Sequence, residues 1–179
     1  LVLSSQNGGG VYVYGDGATV TFNDCQITSN TASLGGAFYI RNSAKLIFSN
    51  YTVSGNQALE GGGGAGFIGD ALVELHCDSK VTPVIALTLL PNSTCIFAGN
   101  SATTADGGAL YLSDSSSILT VAGDAAFFNN SAARNGGGIF SVNAAPVSQV
   151  GDGRLSFFGN RAGIDTSSGG GSGGAVYLS

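Results

Sequence analysis

Hydrophobic residues along this chain fall in short bursts of about four to six, separated by Gly, Ser, Asn and Asp. The bursts are too short for helices and rich in Val, Ile, Phe, Tyr and Thr, so each reads as a strand. A double glycine opens one set: GGVYVY (9–14), GGAFYI (35–40), GGAGFI (63–68), GGALYL (107–112), GGIFSV (137–142) and GGAVYL (173–178). An apolar-x-x-Asn-x-Ala motif precedes all but the first: ITSNTA (27–32), VSGNQA (53–58), FAGNSA (97–102), FFNNSA (127–132) and FFGNRA (157–162). Between them lies a third segment, clearest as TVTF (19–22), KLIF (45–48) and ILTV (118–121). Self-similarity at a near-fixed period marks a stacked repeat, in which no unit buries its apolar side chains alone. Winding three short strands per turn buries them in a common interior, with each strand paired to its equivalent one turn later, about 4.8 Å away. The pattern therefore predicts an all-β parallel β-helix of about five to six turns, one solenoid domain over residues 1–179.

Each repeat position carries a physical expectation. The paired glycines permit positive φ at a sharp corner. The motif asparagines Asn30, Asn56, Asn100, Asn130 and Asn160 are predicted to stack as a ladder of amide hydrogen bonds, a device of the fold without chemistry. The alanine two residues later marks a place with little room. Successive asparagines are 26, 44, 30 and 30 residues apart, so the third repeat carries a surplus, placed between residues 72 and 94. Insertions loop out of solenoid corners and either carry function or are tolerated decoration. One segment, GAGFIG (64–69), spells the dinucleotide-binding fingerprint, but no apolar strand precedes it. It is one copy of a repeated glycine turn. The chain opens inside one unit and stops after the first strand of another, which suggests an excerpt of a longer solenoid or a fibre subunit.

In the strand after each glycine pair, alternation predicts that Phe38, Ile40, Leu110, Leu112, Val176 and Leu178 face inward. The residues between them, Tyr39, Phe67, Tyr111 and Tyr177, face outward as an aromatic stripe interrupted by Val13 and Ser141. Such a stripe is either covered by a neighbouring segment or offers a contact surface, for a glycan stacking on tyrosine rings or for a second solenoid packing laterally.

Composition narrows the functional classes. With 43% hydrophobic and 9% charged residues, the chain can form a continuous core. A net charge of −5, with six Lys and Arg scattered singly, argues against nucleic acid and anionic membranes. The most apolar run, VTPVIALTLLP (81–91), is too short to span a bilayer. Cys25 and Cys95 fall at equivalent places two turns apart, roughly 10 Å, beyond disulfide reach. Cys77 and Cys95 flank the insertion and form the expected pair, leaving Cys25 a buried free thiol. No C-x-x-C spacing exists, so neither zinc nor another metal is implied, and no motif asks for a cofactor. Asn50, Asn92 and Asn129 stand in N-x-[ST] sequons, acceptors if the source glycosylates.

The GGA-plus-strand and F-x-x-N motifs (GGAFYI, GGALYL, GGAVYL, FAGN, FFNN, FFGN) resemble the repeats of chlamydial polymorphic outer-membrane proteins. Ile27 and Val53 depart from the family's Phe, and no membrane-barrel segment is present. The resemblance implies a right-handed β-helix on a cell surface, an autotransporter-like passenger acting as an adhesin on a host cell. It carries over no catalytic residue. The expected function is thus a non-enzymatic, extracellular structural or adhesive protein whose partners are host-cell or glycan surfaces or other copies of itself. The alternative is a carbohydrate-binding or carbohydrate-degrading β-helix. Carbohydrate cleavage needs facing carboxyls about 5–10 Å apart, whereas the acids here sit mostly in turns. Asp106 and Glu60 both precede glycine turns, and the only histidine, His76, is placed in the insertion.

Overall fold

The computed structural model describes residues 5–77, 95–143, 145–164 and 171–179. Every regular element among them is a strand, and every pairing between strands is parallel. Three walls result. The first holds Ser5–Asn7 and then the residues after four motif asparagines: Thr31–Leu34, Gln57–Ala58, Ser101–Ala102 and Ser131–Ala132. The second holds Val11–Tyr14, Phe38–Arg41, Gly66–Gly69, Leu110–Leu112, Ile139–Ser141 and Val176–Leu178. The third begins with the ten-residue strands Thr19–Thr28 and Lys45–Ser54, then splits into pairs such as Ile118–Gly123 and Ala125–Phe128. Four complete turns separate Asn30 from Asn160, with partial turns on either side. That is fewer than the five to six expected, because the outermost repeats each contribute only part of a turn.

Alternation along the strands makes the interior. Leu46, Val73 and Leu119 form one fully buried column, and Val53, Phe97 and Phe127 another. The Phe97 and Phe127 rings stack with centroids 4.8 Å apart, and Phe157 continues the stack at 5.1 Å. Each such side chain contributes about 1.5–3 kcal/mol through removal from water. Identical register from turn to turn lets like side chains stack on like.

The asparagine corner joins the third wall to the first. Asn100 donates through Nδ2 to Oδ1 of Asn130 (2.9 Å) and to the carbonyl of Val53 (3.0 Å). Its own Oδ1 accepts from the backbone N–H and the Nδ2 of Asn56, at 3.1 and 3.0 Å. The same pattern links Asn30 to Asn56 and Asn130 to Asn160. Asn56, Asn100 and Asn130 are at most 1% exposed, so the amides are satisfied in the absence of water. Ala32, Ala58, Ala102 and Ala132 follow at 0% exposure, where a larger side chain has no space.

At the glycine corner the two glycines have different duties. Gly107 is held at φ +70°, a left-handed conformation. Gly108 has no such φ, but a Cβ there would overlap the carbonyl of Gly137 and the backbone of Ser131. Backbone packs on backbone, and the solenoid is pinched.

The insertion begins later than expected. Leu72–Cys77 is an ordinary wall strand, paired through His76 with Lys45–Ser49 and over its whole length with Ile118–Gly123. Val73 and Leu75 face the core while Leu72, Glu74 and His76 point out. His76 therefore belongs to the wall and not to the insertion. Cys77 pairs with Gly123 and Cys95 with Ala125, so residues 78–94 stand where the next turn has only Asp124.

Two stability outcomes follow from the corners. Asn100→Leu strips two buried donors of Asn56 of their acceptor, at about 1–3 kcal/mol each. Its urea midpoint should correspond to a loss of at least about 2 kcal/mol, and a wild-type midpoint would show that the ladder is not structural. Gly108→Ala should prevent folding or cost more than about 3 kcal/mol, whereas Gly99→Ala, where a Cβ meets open space, should cost only the left-handed penalty of about 1–2 kcal/mol.

Candidate functional site

The outward side of the second wall carries a continuous row of aromatic rings. Tyr12, Tyr39, Phe67, Tyr111, Phe140 and Tyr177 align in one register row. The row is unbroken, which corrects the interruptions expected at Val13 and Ser141. In the triple-glycine corners the structural pair is Gly8–Gly9 and Gly136–Gly137, and Gly10 and Gly138 take the slot that Ala37, Ala65 and Ala109 fill elsewhere. The strand is thereby shifted by one, so Val13 turns into the core at 4% exposure and Ser141 is buried at 1%.

Stacking defines what this row offers chemically. Successive ring centroids lie 5.0–5.3 Å apart with interplanar angles of 3–18°. Each internal ring therefore has both faces covered by its neighbours, a geometry worth about 0.5–1.5 kcal/mol per pair beyond burial. Tyr39 and Phe140 retain only 4% and 7% exposure, and Phe67, Tyr111 and Tyr177 are half-buried. The expectation of sugars stacking on open tyrosine faces does not fit the ladder interior. What points outward is a line of ring edges and phenol hydroxyls.

Polar groups border the row on both sides. Towards the strand ends, Arg41 reaches the Tyr39 hydroxyl at 3.5 Å, and Asn42 donates to the hydroxyl of exposed Tyr14 at 3.0 Å. Towards the glycine corner, buried Asp106 pairs with Arg134 (2.9 Å) and accepts from the backbone and side chain of Asn135 (both 2.9 Å). Burial pushes the Tyr111 phenol above its usual range, Asp106 adds to that and Arg134 opposes it. Asp106 aligns with Gly62 and not with Glu60, because the third turn has a longer glycine corner.

Other acids also bridge turns. Glu74 pairs with Lys45 at 2.8 Å and meets His76 at 3.4 Å on the outer face of the third wall. The Lys45 hydrogen bond holds the Glu74 carboxyl below the usual range against partial burial. Burial works upward on Asp114, but donors from Ser113, Ser117 and the N–H groups of Asp70 and Ser116 outweigh it and leave its carboxyl low. Among the described residues, no three His, Cys, Asp or Glu side chains gather as metal ligands, and no helix is long and apolar enough to cross a membrane.

Cys77 and Cys95 are disulfide-bonded, with Cα atoms 5.5 Å apart at the neck of the insertion. Cys25 is not in a disulfide and is half-buried, not fully buried as expected, since it lies in the outermost described turn of its row. Between the two cysteine turns stands Tyr51, 1% exposed and packed on Phe48 and Phe97. Burial drives its phenol well above the ordinary value. Asn129 is exposed, Asn50 is half-buried and donates to Asp24 at 3.4 Å, and Asn92 lies outside the described residues.

With three parallel walls and their ladders defined, comparison with known families is decisive. The sequence model described as "Right handed beta helix region" matches residues 2–173. The chain belongs to the right-handed β-helix family. No curated protein and no solved structure matches it. The right-handed β-helix also contains what sequence reading missed, notably the continuous ring stack and the Asp106–Arg134–Asn135 bridge. Their signals were present as the triple glycines and the RNGGG corner (134–138), but only the register reveals them.

Tyr111→Ala removes two ring pairs and should cost at least about 1–3 kcal/mol, while Tyr111→Phe should be near neutral; equal melting of all three proteins would refute the ladder's contribution. For Glu74 and Asp114, folded pKa values below the unfolded ones, about 4, give stability that is present above that pH and lost as pH falls through the folded values. The melting temperature should drop between about pH 5 and pH 3, and the double variant Glu74→Gln with Asp114→Asn should show a shallower drop.

Proposed function

We propose that this right-handed β-helix is a non-enzymatic structural and adhesive repeat module that works outside the cell, as part of a surface spike or fibre. The observation that carries this reading is that amides, rings and most of the described acids are engaged between turns, which maintains a regular body. The Cys77–Cys95 disulfide supports an oxidising compartment. The likeness of the GGA and F-x-x-N repeats to chlamydial polymorphic outer-membrane proteins supports a cell-surface adhesin that meets a host-cell or glycan surface, or further copies of itself.

One observation favours carbohydrate recognition as the adhesive mode. Exposed Tyr14, Arg41 and Asn42 lie beside the hydroxyl-bearing edge of the ring ladder, a set of donors and an amphipathic ring suited to sugar hydroxyls. Binding of the disulfide-intact protein to cell surfaces and glycan arrays, measured alongside reducing-end release from neutral and acidic polysaccharides, tests both parts. Saturable binding that Arg41→Ala with Tyr14→Ala weakens by about tenfold, without sugar release, is the expected result. Release of sugar fragments would overturn the non-enzymatic reading, and absence of both surface binding and self-association would overturn the adhesive one.

A further inference from the structure

Of the two described sequons, one has the geometry of an attachment point and the other does not. The residue before each motif asparagine takes a left-handed conformation: Ser29, Gly55, Gly99, Asn129 and Gly159 have φ of 57, 63, 60, 53 and 60°. Four of these positions carry a hydrogen or a small hydroxymethyl group. Asn129 alone projects a carboxamide, between Gly99 on one neighbouring turn and Gly159 on the other. Its side chain leans over Gly159, where no Cβ obstructs it. It is exposed and makes no hydrogen bond through its amide among the described residues. A groove of about 320 Å³, lined by Asn129, Asn130, Ser131, Gly159 and Arg161, opens beside it. The Asn130 amide is committed to the ladder, so exposed Arg161 is the donor there with capacity for a new partner.

We infer that Asn129 is an N-glycan acceptor whose first sugar sits in the groove over Gly159, beside Arg161. The attachment is redox-neutral. Nδ2 of Asn129 forms a bond to C1 of a lipid-pyrophosphate-linked oligosaccharide, the C1–oxygen bond breaks, the lipid pyrophosphate leaves and one amide proton is lost. Ser131 supplies the sequon hydroxyl. Asn50 is a poor counterpart. It is half-buried, donates to Asp24 at 3.4 Å, and is followed by Tyr51, whose ring is anchored in the core. A sugar on Asn50 would wedge between adjacent turns, whereas one on Asn129 occupies space that glycine leaves open. A glycan at this corner would shield the outside of the asparagine ladder.

This inference rests on the extracellular reading, and its test separates the two. The protein is secreted from a eukaryotic host, and site occupancy is read by peptide mass spectrometry after glycosidase release. Glycan at Asn129 with Asn50 unmodified is expected, with complete loss of the Asn129 signal in both Asn129→Gly and Ser131→Ala. Asn129→Gly restores the residue used at Gly99 and Gly159, so it should melt with the unglycosylated wild type and show that loss of signal is not loss of fold. Secreted, disulfide-bonded protein with Asn129 bare, or with Asn50 occupied instead, overturns the inference and leaves the extracellular reading standing. Retention in the cell with Cys77 and Cys95 reduced counts against the extracellular reading and this inference together.

Discussion

Everything in this solenoid depends on one constraint: the backbone at the asparagine corner must repeat closely enough that each amide bonds to the next. A carboxamide has two donors and two acceptor sites. In Asn100 all are engaged, by two neighbouring asparagines and the carbonyl of Val53. A buried amide with any of these contacts missing costs about 1–3 kcal/mol, so a turn that drifts in register is penalised at once. The apolar columns alone would not impose this, because Leu, Val and Phe tolerate sliding by a fraction of an ångström. The ladder sets register, and the hydrophobic columns supply most of the driving force.

The glycine corner applies the opposite logic. There the solenoid gains closeness by having nothing to pack, and Gly108 lets one turn's backbone lie on the next. That pinch directs the following strand so that its outward residue stands directly above its equivalent. The ring stack from Tyr12 to Tyr177 is a consequence of that alignment. It also limits what the stack can do, since rings stacked on rings present edges. What this face exposes is accordingly ring edges, hydroxyls and the bordering Arg41 and Asn42.

Variation is admitted where it leaves the ladders intact. Cys77 aligns with Gly123 and Cys95 with Ala125, so a stretch that is a single residue in the next turn is longer here, and the Cys77–Cys95 bridge joins the two strand ends, which keep their pairing. Asn129 is a variation of another kind, a polar side chain in a row otherwise given to glycine and serine. Asn129 is exposed at its corner, and the strands that end at Cys77 and begin at Cys95 stay in register with their neighbours, so neither change propagates along the axis. The regular interior and the permissive corners together describe a body that holds length and displays local features.

The repeat spacing, the short apolar bursts and the recurring asparagine were enough to determine a parallel β-helix, its three strands per turn and the residues of its amide ladder. This works because a stacked fold writes its periodicity directly into the chain, and each polar device recurs at the same step. Register within a repeat was not determined. With three or four glycines in a row, nothing local says which two form the corner, so Val13 and Ser141 appeared to interrupt a row that Tyr12 and Phe140 complete. The start of the insertion was likewise hidden, because the alternation of Leu72 to Cys77 becomes a wall strand only when Lys45–Ser49 and Ile118–Gly123 flank it. Exposure, too, was decided only in three dimensions. An outward-facing residue is open or covered according to what the adjacent turns place beside it, which is why Tyr39 is nearly closed off and Asn129 stands free in its groove.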